Sequence, residues 1–314
     1  MMGAVSLHVK VTAAVDFVAS RLASTRPGGN ILKNSINALR HVYCIELIFA
    51  LILVIIVPNA RADLILTAPP RESAEIGKKV YAPLAKGLSR ILKQRVIYQH
   101  PQDWRAYEKD MKKDKFDIIF DGPHFAAWRI ESLRARPLVK LGGNLRFVLV
   151  TLRTEFAVQH AEHLIGLPVC TLPSPNLGAL SLFAMFPHPA RQPEYRIITH
   201  GGFKEVANAL QRGECTAAIL RSSYYYKKAS NDFRDQTRVI ERSSAMTNQG
   251  ITLSKRVSPK MDKAITEYLT SKSSADALKP LLERFTNSQG HFTASNKSDY
   301  EGQNLLRDNV IFGW

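Results

Sequence analysis

Three short stretches of this sequence hold residue types that can grip an anion. In FDIIFDGPHF, the apolar residues Phe116, Ile118, Ile119 and Phe120, interrupted by Asp117, run into Asp121, Gly122, Pro123 and His124. In LTAPPRE, a strand-like segment stops at Pro69 and Pro70 and presents Arg71 and Glu72. In TLPSPNLGALSLF, Ser174 and Asn176 bracket Pro175 ahead of a helical pattern. Proline suits the first position of a helix, where its missing N–H costs no bond, so Pro123 and Pro175 mark helix starts. The first amides of a helix have no internal partner and attract negative charge. Ser174 reads as the N-cap of its helix, and with the Asn176 amide it completes one anion-seeking terminus. Asp121 and His124 flank the other, and Gly122 lets the backbone turn and approach a ligand closely. Each junction alone is also what any α/β protein uses to start a helix; their recurrence at equivalent places makes them candidate sites.

The elements that position them follow from the hydrophobic period. DLILTA, RVIYQH and FDIIFD read as strands, and the segments between them as helices, one opening on Asp103 as N-cap. The same rhythm runs through LPVCTLP, SPNLGALSLFAMF, YRIITHG, FKEVANALQRGE and CTAAILR. Strands alternating with helices imply a mostly parallel sheet with crossover helices. The strands group into two lobes, with ITLS (251–254) returning to the first. The expected organisation is 1–62 as leader, 63–150 plus 245–314 as lobe 1, and 151–244 as lobe 2, with crossover strands near 147–153 and 238–253. Ligands of such sheets sit beyond the carboxyl ends of the strands, and a cleft between lobes closes by hinge motion.

The 314 residues carry a net charge of +16, spread along the chain. That surplus steers anions toward the protein. No helix-turn-helix, zinc-finger spacing or RNP-like motif points to nucleic acid, and neither a P-loop nor G-x-G-x-x-G is present, so no cofactor is expected. Eleven uninterrupted apolar residues, 47–57, precede Pro58 and the pattern Ala60-Arg61-Ala62, with Arg40 upstream. This is the grammar of a secretory signal cleaved after Ala62; eleven residues fall short of the roughly 20 that span a bilayer. The start site within 1–45 is left open. Cleavage removes six Lys/Arg and two Asp/Glu, leaving +12, and removes Cys44. The remaining Cys170 and Cys215 fit either a disulfide, common in exported proteins, or two buried thiols.

Taken together, the secretion signal, TAPPRE, YAPLAKGLSRIL, FDIIFDGP, LPVCTLPSPNLGAL and GECTAAIL resemble the phosphonate- and phosphite-type substrate-binding proteins of ABC importers. The resemblance implies an α/β type II periplasmic binding-protein fold, two lobes closing over a small anion, and delivery to importer membrane subunits by a periplasmic monomer. The family usually carries an aromatic residue near the start of the helix after Gly122-Pro123; here that place holds His124-Phe125, with Trp128 further on, a departure from the family pattern. The family's hydroxyl-rich helix start has only Ser174 here. If Asp121 faces the anion, the ligand must bring a proton or an ammonium group, as in a protonated oxyanion or an aminophosphonate.

Other features carry less. RSSYYYKK sets Tyr224 and its neighbours beside two lysines at a strand end or cleft rim, and NQG (248–250) lies on the return path. His160 and His163 lack a third ligand nearby in sequence, so no metal is expected. A periplasmic sensor feeding a receptor, and an enzyme with a cysteine nucleophile on the same bilobal fold, are the alternative functions; neither cysteine has a base nearby in sequence.

Overall fold

A computed structural model describes residues 62–286 and 290–306. The signal-sequence reading of 1–61 lies outside them. Among the described residues, no helix is long and apolar enough to cross a membrane.

Strand β1 (Leu64–Thr67) pairs in parallel with β2 (Val96–Tyr98) and β3 (Ile118–Asp121). Helix α1 (Ala74–Leu92) connects β1 to β2, and α2 (Trp104–Lys112) connects β2 to β3. The hydroxyl of Ser73 caps α1 and the carboxylate of Asp103 caps α2, accepting from the amide of Ala106 at 2.7 Å. Val80, Leu84 and Leu88 bury one face of α1, while Ile76 in the first turn stays exposed. After β3, helix α3 (Pro123–Leu133) starts directly on Pro123 and leads to β4 (Arg136–Leu141). The short β5 (Asn144–Leu145) then carries the chain to a second sheet.

That sheet repeats the first design. Strands β7 (Pro168–Thr171), β8 (Glu194–Ile197) and β9 (Ala217–Arg221) are parallel, joined through α4 (Leu177–Met185) and α5 (Gly202–Gln211). Beyond β9 lie α6 (Ser222–Lys227), α7 (Asn231–Gln236) and β10 (Thr237–Arg242). The order is β8-β7-β9-β6-β10, with β6 (Phe147–Leu152) antiparallel to both neighbours. In the first sheet the order is β2-β1-β3-β12-β4-β13, where β12 (Gly250–Leu253) and β13 (Phe292–Ala294) are the late arrivals. Each sheet thus has three parallel strands followed by one antiparallel strand inserted from elsewhere in the chain.

One boundary differs from the sequence expectation. The sequence places a crossover strand near 147–153 and ends the first lobe at 150, yet β6 is an interior strand of the second sheet. FVLVT is buried at every position, and a continuous apolar run needs neighbours on both faces. The passage between sheets therefore lies at β5 and at β11 (Met246–Thr247), which pair as a two-stranded ribbon. Helices α8 (Asp262–Thr270) and α9 (Ala275–Thr286) pack against the first sheet, sharing its core with α1. In the second, Cys170 and Cys215 form a disulfide, their Cα atoms 5.7 Å apart, between β7 and the entry to β9.

Candidate functional site

All six parallel strands end at one cavity of about 900 Å3. After β1 come Pro70, Arg71 and Glu72; after β2, His100 to Trp104; after β3, Gly122, His124 and Phe125. From the second sheet come Leu172 and Pro175–Leu177 after β7, Thr199 and Phe203 after β8, and Arg221 at the end of β9. Gln249 from the return segment and Arg284 with Phe285 from α9 complete the wall. The convergence follows from parallel pairing, which sends every carboxyl end the same way.

Three guanidinium groups line this cavity. Arg71 and Arg284 lie against one aromatic ring, that of Phe285, with their Cζ atoms 6.0 and 5.2 Å from its centroid. Such cation–π contacts hold a cation in place without neutralising it. Nη1 of Arg71 is buried with no hydrogen-bond partner among the described residues. Arg221 reaches in from the other sheet. Burial, then repulsion from Arg71 and Arg284, pull its pKa below the usual guanidinium value, though a guanidinium stays protonated at neutral pH. The carboxylate opposing them is Glu72, with a side chain 5% exposed and its Oε2 3.8 Å from Arg284. That is an ion pair too long to be a good hydrogen bond. Asp103, also at the wall, is exposed and spends its charge capping α2.

Two helix N-termini face the same space. Helix α3 has no side-chain cap, and its first turn brings His124 and Phe125 to the cavity. Gly122 is needed for room rather than for an unusual backbone angle, since its φ is −78°. A Cβ there would come within 2.9 Å of the His124 ring and 3.8 Å of Arg71 Nη2. Burial, with the charge of Arg71 second, pushes the pKa of His124 down to about 3. The imidazole is therefore neutral and able to donate from one nitrogen and accept at the other. At α4 the sequence expectation shifts by two residues: Asn176, not Ser174, is the N-cap, accepting from the amide of Gly178 at 2.8 Å. The backbone N–H of Asn176 donates to the carbonyl of Pro173 at 3.0 Å, closing a turn that contains Ser174. Asn caps a helix as well as Ser does, so the residue nearer the helical turn takes the role. Ser174 is not among the lining residues, and its Oγ is buried without a partner among the described residues.

Two further residues named from the sequence lie elsewhere. Asp121, fully buried, turns into the first lobe, where Arg129 meets its carboxylate at 2.6 Å and Tyr107 donates to it at 2.9 Å. Arg129 also donates to the Tyr107 hydroxyl at 3.3 Å and to Thr252 at 3.2 Å. Burial works against the Arg129 charge, but Asp121 and Tyr107 outweigh it and raise its pKa. Asp121 is thus consumed by an internal ion pair and does not demand a proton or ammonium from a ligand. Tyr224 does not line the cavity; its ring packs 6.2 Å from that of Phe203, which does. Arg71, His124, Phe125 and Asn176 do line the cavity.

Sequence reasoning missed Arg221, Arg284, Phe203 and Phe285. The first had a usable signal: it ends the strand CTAAILR, and a strand end there is equivalent to the three junctions that were singled out. Arg284 and Phe285 had none, because α9 reaches the cavity only through tertiary packing.

A search of curated proteins by sequence finds no match. Among solved structures, XAC2383 from Xanthomonas citri bound to ATP superposes with a TM-score of 0.62 at 10% identity, over 77% of this chain and 94% of that one. PhnD1 from Prochlorococcus marinus in complex with methylphosphonate gives 0.55 at 13% identity, over 76% and 94%. A binding-protein component of an ABC phosphonate transporter from Pseudomonas aeruginosa gives 0.53 at 14%, over 76% and 83%. At these identities the likeness establishes the fold, that of a type II periplasmic binding protein with two lobes. The family model describing the periplasmic substrate-binding protein of phosphonate ABC transporters matches residues 66–300, and the chain belongs to that family.

Proposed function

We propose that this protein captures a small phosphorus oxyanion, a phosphonate, phosphite or phosphate, in the periplasm and delivers it to the membrane subunits of an ABC importer. The observation that carries this reading is the meeting of Arg71, Arg221 and Arg284 with the first turns of α3 and α4 at one cavity. Helix N-termini favour anions by about 0.3–1 kcal/mol each when exposed, and guanidinium groups bind tetrahedral oxyanions through paired, charge-assisted bonds. The two solved relatives carrying methylphosphonate and ATP support the choice of phosphorus chemistry. Arg71 from one lobe and Arg221 from the other hold the anion between them, so binding draws the lobes together. Export with cleavage after Ala62 and action as a monomer belong to the same proposal. The family is one of binding proteins rather than enzymes, and with Cys170 and Cys215 bonded to each other neither offers a nucleophile.

The test is a thermal-shift and calorimetric comparison of phosphate, phosphite, methylphosphonate and sulfate on the purified protein. A ligand at 100 times its Kd adds about 2.7 kcal/mol of stability. Stabilisation by a phosphorus oxyanion, lost in Arg71→Gln, is the expected result; equal response to sulfate, or none to any of the four, would overturn the reading.

A further inference from the structure

The cavity holds more positive charge and more room than one tetrahedral oxyanion uses. Among the described residues that line it are three guanidinium groups and one buried carboxylate, Glu72, while Asp103 stands exposed and His124 is neutral. Two helix N-termini add roughly half a positive charge each. Two forked guanidinium contacts supply four charge-assisted hydrogen bonds, one or more to each of the three oxygens of a phosphonate group, and helix amides add to them. The third guanidinium, Arg284, comes from a separate element, α9. Its Cζ lies 5.2 Å from the centroid of the Phe285 ring, that of Arg71 lies 6.0 Å from the same centroid, and Arg284 meets Glu72 only at 3.8 Å. The volume, about 900 Å3, stands at the upper end of the roughly 300–1,000 Å3 that encloses a drug-sized ligand. Trp104, Phe125 and Phe203 give part of that space an apolar wall able to cover an organic body.

Resting on the oxyanion reading above, we infer that the ligand is a phosphonate or phosphate monoester bearing a second anionic group, a carboxylate or another phosphoryl, which Arg284 receives. Arg71 and Arg221 take the first phosphorus group across the cleft, and Arg284 sets the specificity for the second.

Calorimetric titration of the full protein at pH 8 with methylphosphonate, phosphonoacetate and methylenediphosphonate tests this. At least one of the two probes bearing a second anionic group should bind ten-fold or more tightly than methylphosphonate, and Arg284→Gln should weaken that probe by a larger factor than it weakens methylphosphonate. Methylphosphonate binding as tightly as both other probes would overturn the inference and leave the oxyanion reading standing. Binding of none of the three would overturn the inference, and the oxyanion reading falls with it only where phosphate and phosphite are silent as well. The ranking of the probes on the unaltered protein decides the matter even if the Arg284 variant does not fold.

Discussion

The junctions β3–α3 and β7–α4 stand at equivalent places in the two lobes, and they are fastened by different means. In the first lobe the strand end is anchored ionically, by Asp121 with Arg129, Tyr107 and Thr252. In the second it is anchored covalently, by the disulfide from Cys170 in β7 to Cys215. Both leave a helix N-terminus facing the cavity, but only the first junction spends charge on its own support. An acid at a strand end can therefore belong to the scaffold while the ligand is met by arginines from other strand ends.

The comparison can be broken most severely at Asp121. Asp121→Ala leaves Arg129 as a buried charge without its partner, a change that costs about 3–5 kcal/mol; urea unfolding should show a loss of that size. A loss below 1 kcal/mol would mean the pair does not anchor the strand. Removing the covalent counterpart with Cys170→Ser and Cys215→Ser should cost roughly 2–4 kcal/mol, by freeing a loop of 45 residues in the unfolded chain. Calorimetric melting of the double variant against the oxidised protein reads this directly.

His124 sharpens the contrast through pH. Its folded-state pKa lies near 3 against an ordinary 6.5, so as pH falls below 6.5 the unfolded chain takes up a proton that the folded protein refuses. The stability present above pH 6.5 is lost toward pH 3, at about 1.4 kcal/mol per pH unit within that window. In His124→Gln the acid loss should be shallower by that amount between pH 6 and 4.5; parallel curves would show that the imidazole is not held neutral. The smallest effect is expected at the second junction, where Asn176→Ala removes the α4 cap and should cost about 1 kcal/mol in urea unfolding.

Much of the scaffold was legible locally. Strand and helix periods, the proline starts at Pro123, the Asp103 cap and the repeated strand-to-helix junctions depend on residues within a few positions of one another. That short range is also why Arg71, His124 and Asn176 could be named: each sits at a strand's carboxyl end, and parallel pairing takes all such ends to one side; Phe125 is named by the family resemblance instead. The direction of a side chain was not legible there. Asp121 could have faced the cavity or the lobe interior, and Arg129, two helical turns further on, together with Tyr107 on another helix, settled it in favour of the interior. Ser174 and Asn176 were both competent caps, and only the turn closed on Pro173 gave the role to Asn176.

The sequence by itself determined the bilobal α/β architecture and the presence of helix N-termini at strand ends, because period, proline and capping act through neighbouring residues. Tertiary structure alone decided which charges reach the ligand. Arg221 arrives from the other lobe and Arg284 from α9, far along the chain from Glu72 and Phe125, and no local pattern marks a residue whose role is defined by what packs against it. The electrostatic character of the cavity is a sum over such distant groups, whereas the fold is assembled largely from near ones.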